Sequence, residues 1–177
     1  TSDVRELADQ RTESQVLLDT DPYERSDANG SIAVVLSPTE PYGPNDTRRV
    51  REFVDAGGTL VVADDFGPHS NALLDDLGAS ARFNGTQLRD ERHYYRAPSL
   101  PVATNVSETR YTEGVDQLTL NKATAIDAGN ATVVATTSPF AYLDRNGTGN
   151  LSAGDELGTY PVVTAESIGE GRVIAVG

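Results

Sequence analysis

The sequence predicts an α/β fold, with a parallel-sheet core in its first half and a β-rich part after it. Three observations carry this. Continuous apolar runs at Ile32–Leu36 and Thr59–Ala63 have the length of strands buried on both faces. Helix-period segments alternate with such runs as far as Gly78. Beyond residue 115 only short strand patterns recur.

The elements follow in order. Residues 3–10 carry Val4, Leu7 and Ala8 at helical spacing and predict a short amphipathic helix. Residues 15–19 read as a strand, and Asp21-Pro22 and Asn29-Gly30 punctuate the link to the next one, Ile32–Leu36. A proline-rich loop leads to a helix that Asn45, Asp46 or Thr47 would cap, with Val50, Phe53 and Val54 as its apolar stripe. Gly57-Gly58 ends it, and Thr59–Ala63 is the next buried strand. Ser70 would cap a short helix through Leu73, Leu74 and Leu77, stopped by Gly78. Residues 84–114 read as polar and irregular, with Arg92-His93-Tyr94-Tyr95-Arg96 in their middle. Strand candidates then lie at residues 117–120, 123–126, 132–136, 160–164 and 172–176. One domain over residues 1–177 is expected: a core to about residue 83, an insertion from 84 to 114, and a β-rich part from 115 onward.

Composition restricts the function classes. A net charge of −13 disfavours nucleic acid and anionic membrane surfaces as partners. The cations are thirteen Arg and one Lys, Lys122, and the pattern of many acids with almost no Lys suggests a salt-loving archaeon. Carboxylates keep a chain hydrated in concentrated salt, and the salt screens their repulsion. Without cysteine there are no disulfides, thiolate metal sites or cysteine nucleophiles. The chain lacks Met and ends directly after an apolar strand run, so a processed or excised piece of a longer protein is expected.

Seven of the nine asparagines begin an Asn-x-Ser/Thr triplet: Asn29, Asn45, Asn84, Asn105, Asn130, Asn146 and Asn150. That excess predicts a glycosylated surface outside the cytoplasm, the alternative being turn residues that happen to cluster.

The sharpest local pattern runs from Asp144 to Asp155. Asp144, Asn146, Thr148, Asn150, Ser152 and Asp155 stand at calcium-loop positions 1, 3, 5, 7, 9 and 12, with Gly149 at the turn. Alternating oxygen-bearing residues in a tight loop suit Ca²⁺, which takes six to eight hard oxygens. These twelve residues resemble the loops of the EF-hand and dockerin families. Thr148 at position 5 and Asp155 at position 12 depart from that pattern and predict weak binding, on the order of millimolar. A glycan on Asn146 would compete with its role as a ligand.

Ser37-Pro38-Thr39, the amphipathic helix, Gly57-Gly58, the strand through Asp64, and Gly169-Glu170-Gly171-Arg172-Val173 form a larger pattern. It resembles an uncharacterised haloarchaeal membrane-associated domain family with a class I glutamine amidotransferase-like fold. Relatives of that superfamily occur in trehalose-utilisation-type proteins and gliding-type transporter auxiliary domains. The resemblance implies a flavodoxin-like, mostly parallel sheet with helices on both faces, and anchoring segments beyond this chain. It implies no established activity. The amidotransferase nucleophile is a cysteine, and the matching turn here reads Asp65-Phe66-Gly67-Pro68-His69-Ser70.

The leading expectation is a non-enzymatic extracytoplasmic domain of a membrane-anchored archaeal envelope protein, on the outer face of the cell membrane. It would bind an envelope protein or glycan and would be stabilised by Ca²⁺. The rivals are a cysteine-less hydrolase or transferase using Asp64, Asp65, His69 and Ser70, and a sensory domain holding a small ligand in that cleft. Arg92, Tyr94, Tyr95 and Arg96 serve either as a recognition patch or as anchors for a long loop.

Overall fold

The computed structural model describes residues 13–25 and 27–177. The helix expected at residues 3–10 lies outside them. A three-ten turn, Asp21–Arg25, leads to β1, Ile32–Leu36. Then come α1, Pro44–Asp55; β2, Thr59–Ala63; and α2, Ser70–Leu77. The rest is strand and loop: β3, Arg82–Asp90; β4, Val102–Ala103; β5, Asn105–Val106; β6, Leu118–Thr119; β7, Thr124–Asp127; β8, Thr132–Thr136; β9, Ala141–Leu143; β10, Pro161–Ile168; and β11, Gly171–Val176.

The main sheet has the order β1-β2-β11-β10-β8-β5. Only β1, β2 and β11 run parallel; β10, β8 and β5 continue it antiparallel. A second sheet, β7-β3-β9, is antiparallel, and β4 pairs with β6.

This corrects the flavodoxin-like expectation. The described residues hold two α-helices, and both pack on one face of the main sheet. Val50, Phe53 and Val54 of α1 and Leu73, Leu74 and Leu77 of α2 meet Leu60, Val62, Val173 and Ala175 there. Burying each large side chain of that set contributes about 1.5–3 kcal/mol. On the other face Ile174 and Val176 pack against a second core built from strands, including Leu88, Ala125, Val134, Leu143 and Val162. The antiparallel strands therefore take the place that a second layer of helices would fill. No helix of the described residues is long and apolar enough to cross a membrane.

Local details differ as well. Gly43 is the N-cap of α1 and Pro44 its first residue, so Asn45, Asp46 and Thr47 lie inside the first turn. His69, not Ser70, precedes α2, while Gly78 ends it in the left-handed region at φ 79. The stretch expected to be irregular contains most of β3, whose pairing breaks register between Phe83 and Gln87. Residues 15–19 carry no sheet pairing.

Gly171 starts β11 where backbone from α1 and β2 converges. A Cβ there would stand 2.2 Å from the Val54 carbonyl oxygen and 2.3 Å from that of Gly58. Both are backbone atoms, so neither can swing aside. We expect Gly171→Ala to lower the unfolding free energy by about 3 kcal/mol, the upper end for overpacking. A urea titration would show a lower midpoint at unchanged slope; an unchanged midpoint would refute the close approach.

Candidate functional site

Three buried aspartates stand at the carboxyl ends of strands, and each organises the turn that follows it. Asp64 follows β2 and is 5 % exposed. Its N–H donates to the Val176 carbonyl, and its Oδ1 accepts the Gly67 N–H at 3.1 Å. A side chain at Gly67 would strike the Asp64 carboxylate, so glycine lets the turn close on it. Asp64 Oδ2 and the fully buried Ser70 Oγ have no hydrogen-bond partner among the described residues. Asp65 accepts the Phe66 N–H, and the His69 carbonyl accepts the Leu73 N–H. No hydrogen bond joins His69 to Ser70, and an enclosed Ser70 hydroxyl offers a substrate no approach. Two open grooves lie elsewhere. One, about 360 Å³, is lined by Tyr42, Thr47, Arg51 and Asp76 among others. The other, about 480 Å³, is lined by Tyr111, Asn130, Glu166 and Arg172 among others. Neither includes Asp64, Asp65, His69 or Ser70.

Asp90 ends β3 and is fully buried. Its Oδ1 accepts the N–H groups of Arg92 and His93, both at 2.8 Å, and its Oδ2 accepts the Ser138 hydroxyl. Backbone bonds Asp90 to Pro98, Tyr95 to Leu100 and Val102 to His93 close the loop into a hairpin. Glu91, Arg92, His93, Tyr94, Tyr95 and Arg96 are all exposed at its tip. The Arg92 guanidinium lies 4.2 Å over the Phe140 ring and that of Arg96 4.9 Å over Tyr95. The Tyr142 hydroxyl donates to Glu91; burial, then that bond, pushes its phenol up to about 12. The sequence pointed to the Arg and Tyr residues but not to Asp90 and Phe140, which engage Arg92 and His93, or to Ser138, which bonds Asp90. An Asp inside a polar stretch carries no sign of burial.

Asp144 follows β9 and is 5 % exposed. Its two carboxylate oxygens accept the N–H groups of Thr148 at 2.9 Å and Gly149 at 2.8 Å. Thr148 Oγ1 donates to the Asn150 carbonyl, so these two candidate ligands face each other. Asn146 Nδ2 donates to Ser152 Oγ at 3.2 Å. Asp155 closes the loop, accepting the Arg145 N–H, the Ser152 N–H and the Ser152 hydroxyl. The structure thus joins Asn146, Ser152 and Asp155 in one cluster and Asp144, Thr148 and Gly149 in another. Among the described residues no three His, Cys, Asp or Glu side chains converge as a metal site. Each Asp144 oxygen accepts one N–H and retains a second lone pair.

All seven triplet asparagines are exposed. The side-chain amides of Asn105, Asn146 and Asn150 already donate within the protein, to Thr136, Ser152 and Thr148 respectively.

A family model described as "Domain of unknown function (DUF4350)" matches residues 1–177. Among solved structures, the mmIFT52 N-terminal domain superposes with a TM-score of 0.70 at 12% identity, covering 99% of this chain and 77% of that one. A cold-adapted β-galactosidase from Rahnella sp. R3 gives a TM-score of 0.52 at 14% identity, covering 89% of this chain but 21% of that one. These likenesses show the fold alone, and the chain spans only about a fifth of the β-galactosidase. The first is a β-rich neighbour, and neither supports the glutamine amidotransferase-like resemblance. No curated protein sequence matches the chain.

Two outcomes follow from the aspartate turns. Asp90→Ala leaves buried donors without an acceptor, so stability should fall by about 1–3 kcal/mol in urea unfolding. The Arg92 and His93 amides should lose exchange protection, and wild-type protection in that variant would contradict the assigned role. The second concerns Asp155. The Ser152 hydroxyl, followed by backbone N–H groups, holds its carboxyl below the ordinary Asp range against an opposing desolvation effect. Because the folded value is depressed, its contribution is present above the usual Asp value of about 3.9 and is lost as pH falls through the lower folded value. Ser152 and Arg145 amide protection should vanish only below about pH 4. Loss at a higher pH would implicate another group.

Proposed function

The chain belongs to the family described as Domain of unknown function (DUF4350), and from that premise we propose that it is a non-enzymatic binding domain displayed outside the cytoplasm. It is part of a membrane-anchored envelope protein of a salt-loving archaeon, attached through segments outside this chain. Its partner is another envelope protein or a glycan.

The observation that carries the binding reading is the hairpin tip, Arg92 to Arg96. Tyr and Arg are enriched in binding hot spots, offering large contact area and directed donors. Here the buried Asp90 carboxylate fixes the backbone at Arg92 and His93 before any partner arrives, which reduces the ordering cost of association there. Exposure of all seven triplet asparagines supports the extracytoplasmic placement. The Asp144–Asp155 loop supports Ca²⁺ as a stabilising ion, with Asp144, Asn146, Thr148, Asn150, Ser152 and Asp155 supplying oxygens. Enclosure of Ser70 and the absence of a His69–Ser70 hydrogen bond weigh against hydrolysis or transfer at that turn.

The testing experiment is glycopeptide mapping of the protein isolated from its source, paired with calcium calorimetry in molar salt. We expect glycans on several of Asn29, Asn45, Asn84, Asn105 and Asn130, and saturable calcium binding that Asp144→Ala abolishes. Bare asparagines throughout would sink the extracytoplasmic reading. No heat and no thermal shift at several millimolar calcium would reduce the loop to a polar turn.

A further inference from the structure

Among the described residues β1 ends the main sheet, and no strand pairs with its outer edge. The Thr59 N–H donates to Ser31 and the Ser37 N–H to Ala63. In a parallel ladder alternate residues face one neighbour, so Ala33 and Val35 serve β2. The backbone groups of Ile32, Val34 and Leu36 therefore point away from it. Their side chains are also exposed, at 69, 54 and 57 %. A bare apolar edge strand is a template for another strand.

A matching segment lies just upstream. Residues 15–18, Gln-Val-Leu-Leu, have strand composition, carry no pairing, and expose Val16 at 65 % and Leu18 at 97 %. We propose that residues 15–18 add to the open edge of β1 as a parallel strand, completing the sheet within one chain.

Three constraints favour this occupant. The first is direction. Thr20 binds Asp46, and Asp21 pairs with Arg49 at 2.7 Å, so the segment ends beside the start of α1. The 37–43 loop ties the start of α1 to the carboxyl end of β1. A strand finishing there runs parallel to β1. The second is length. Residues 19–31 are enough for a parallel crossover, which needs about a dozen residues. The third is hand. The three-ten turn packs on α1, Tyr23 meeting the Phe53 ring edge-on at 5.2 Å. Both connections then pass over the same face and step the same way across the sheet. The added crossover has the hand of β1-α1-β2, as parallel units require. With Val16 opposite Val34, Val16 and Leu18 lie on the side of Val34 and Leu36.

The test combines amide exchange with cross-linking in the full chain. The Val34 and Leu36 amides should exchange slowly, and roughly tenfold or more faster in Leu17→Pro, which removes a ladder donor. Val62 should stay protected in both. Free-chain exchange at Val34 and Leu36 in the wild type would overturn the proposal. Slow exchange in both proteins would overturn it too, because something else then covers the edge. The chain has no cysteine of its own. Val16→Cys combines with Val34→Cys or Ile32→Cys, one pair or the other lying within disulfide reach according to which residue stands beside Val16. A monomeric disulfide supports the assignment. A disulfide-linked dimer assigns the edge to a second copy and overturns it, as does failure to oxidise with both partners.

Discussion

Pairing on both edges of β11 holds the first and last described strands in one sheet. The last strand enters between β2 and β10, parallel to one and antiparallel to the other. Arg172 N–H reaches the Gly58 carbonyl and Glu170 N–H that of Asp55, so the β10–β11 turn is stitched to the end of α1. The parallel and antiparallel halves share this strand. Both cores touch it, Val173 and Ala175 from the helical side and Ile174 and Val176 from the other. A side chain at Gly171 would separate these layers.

The acidic character of the chain has a structural use besides hydration. Asp64, Asp90 and Asp144 are buried at strand ends, and each accepts backbone N–H groups from the turn after it. A carboxylate offers about four acceptor sites and can close a tight turn by itself. Buried charge is costly unless it is so bonded. The loops built on Asp90 and Asp144 are the ones where recognition and ion binding are to be sought. Only the Asp64 turn leaves an acceptor and a hydroxyl unmatched.

Legibility in the sequence followed apolar density. Ile32–Leu36, Thr59–Ala63 and Thr132–Thr136 were readable to the residue because each is a run of apolar or β-branched side chains. β3 was not. Between Phe83 and Leu88 it carries Asn84-Gly85, which reads as a turn, and its register shift breaks the two-residue period. The metal-type loop was recognised from spacing, yet its division into two hydrogen-bonded clusters came from which groups the turn brings together.

By itself the sequence determined the composition of the surface, the absence of thiol chemistry, and most elements of the first half. Those depend on residue type and local period. Only the tertiary structure decided that the sheet is mixed, that helices cover one face, and that Asp90 rather than the aromatic residues organises the hairpin. Strand order and burial depend on partners far along the chain. A two-residue period says that a strand has an inside and an outside, but not which strand lies beside it.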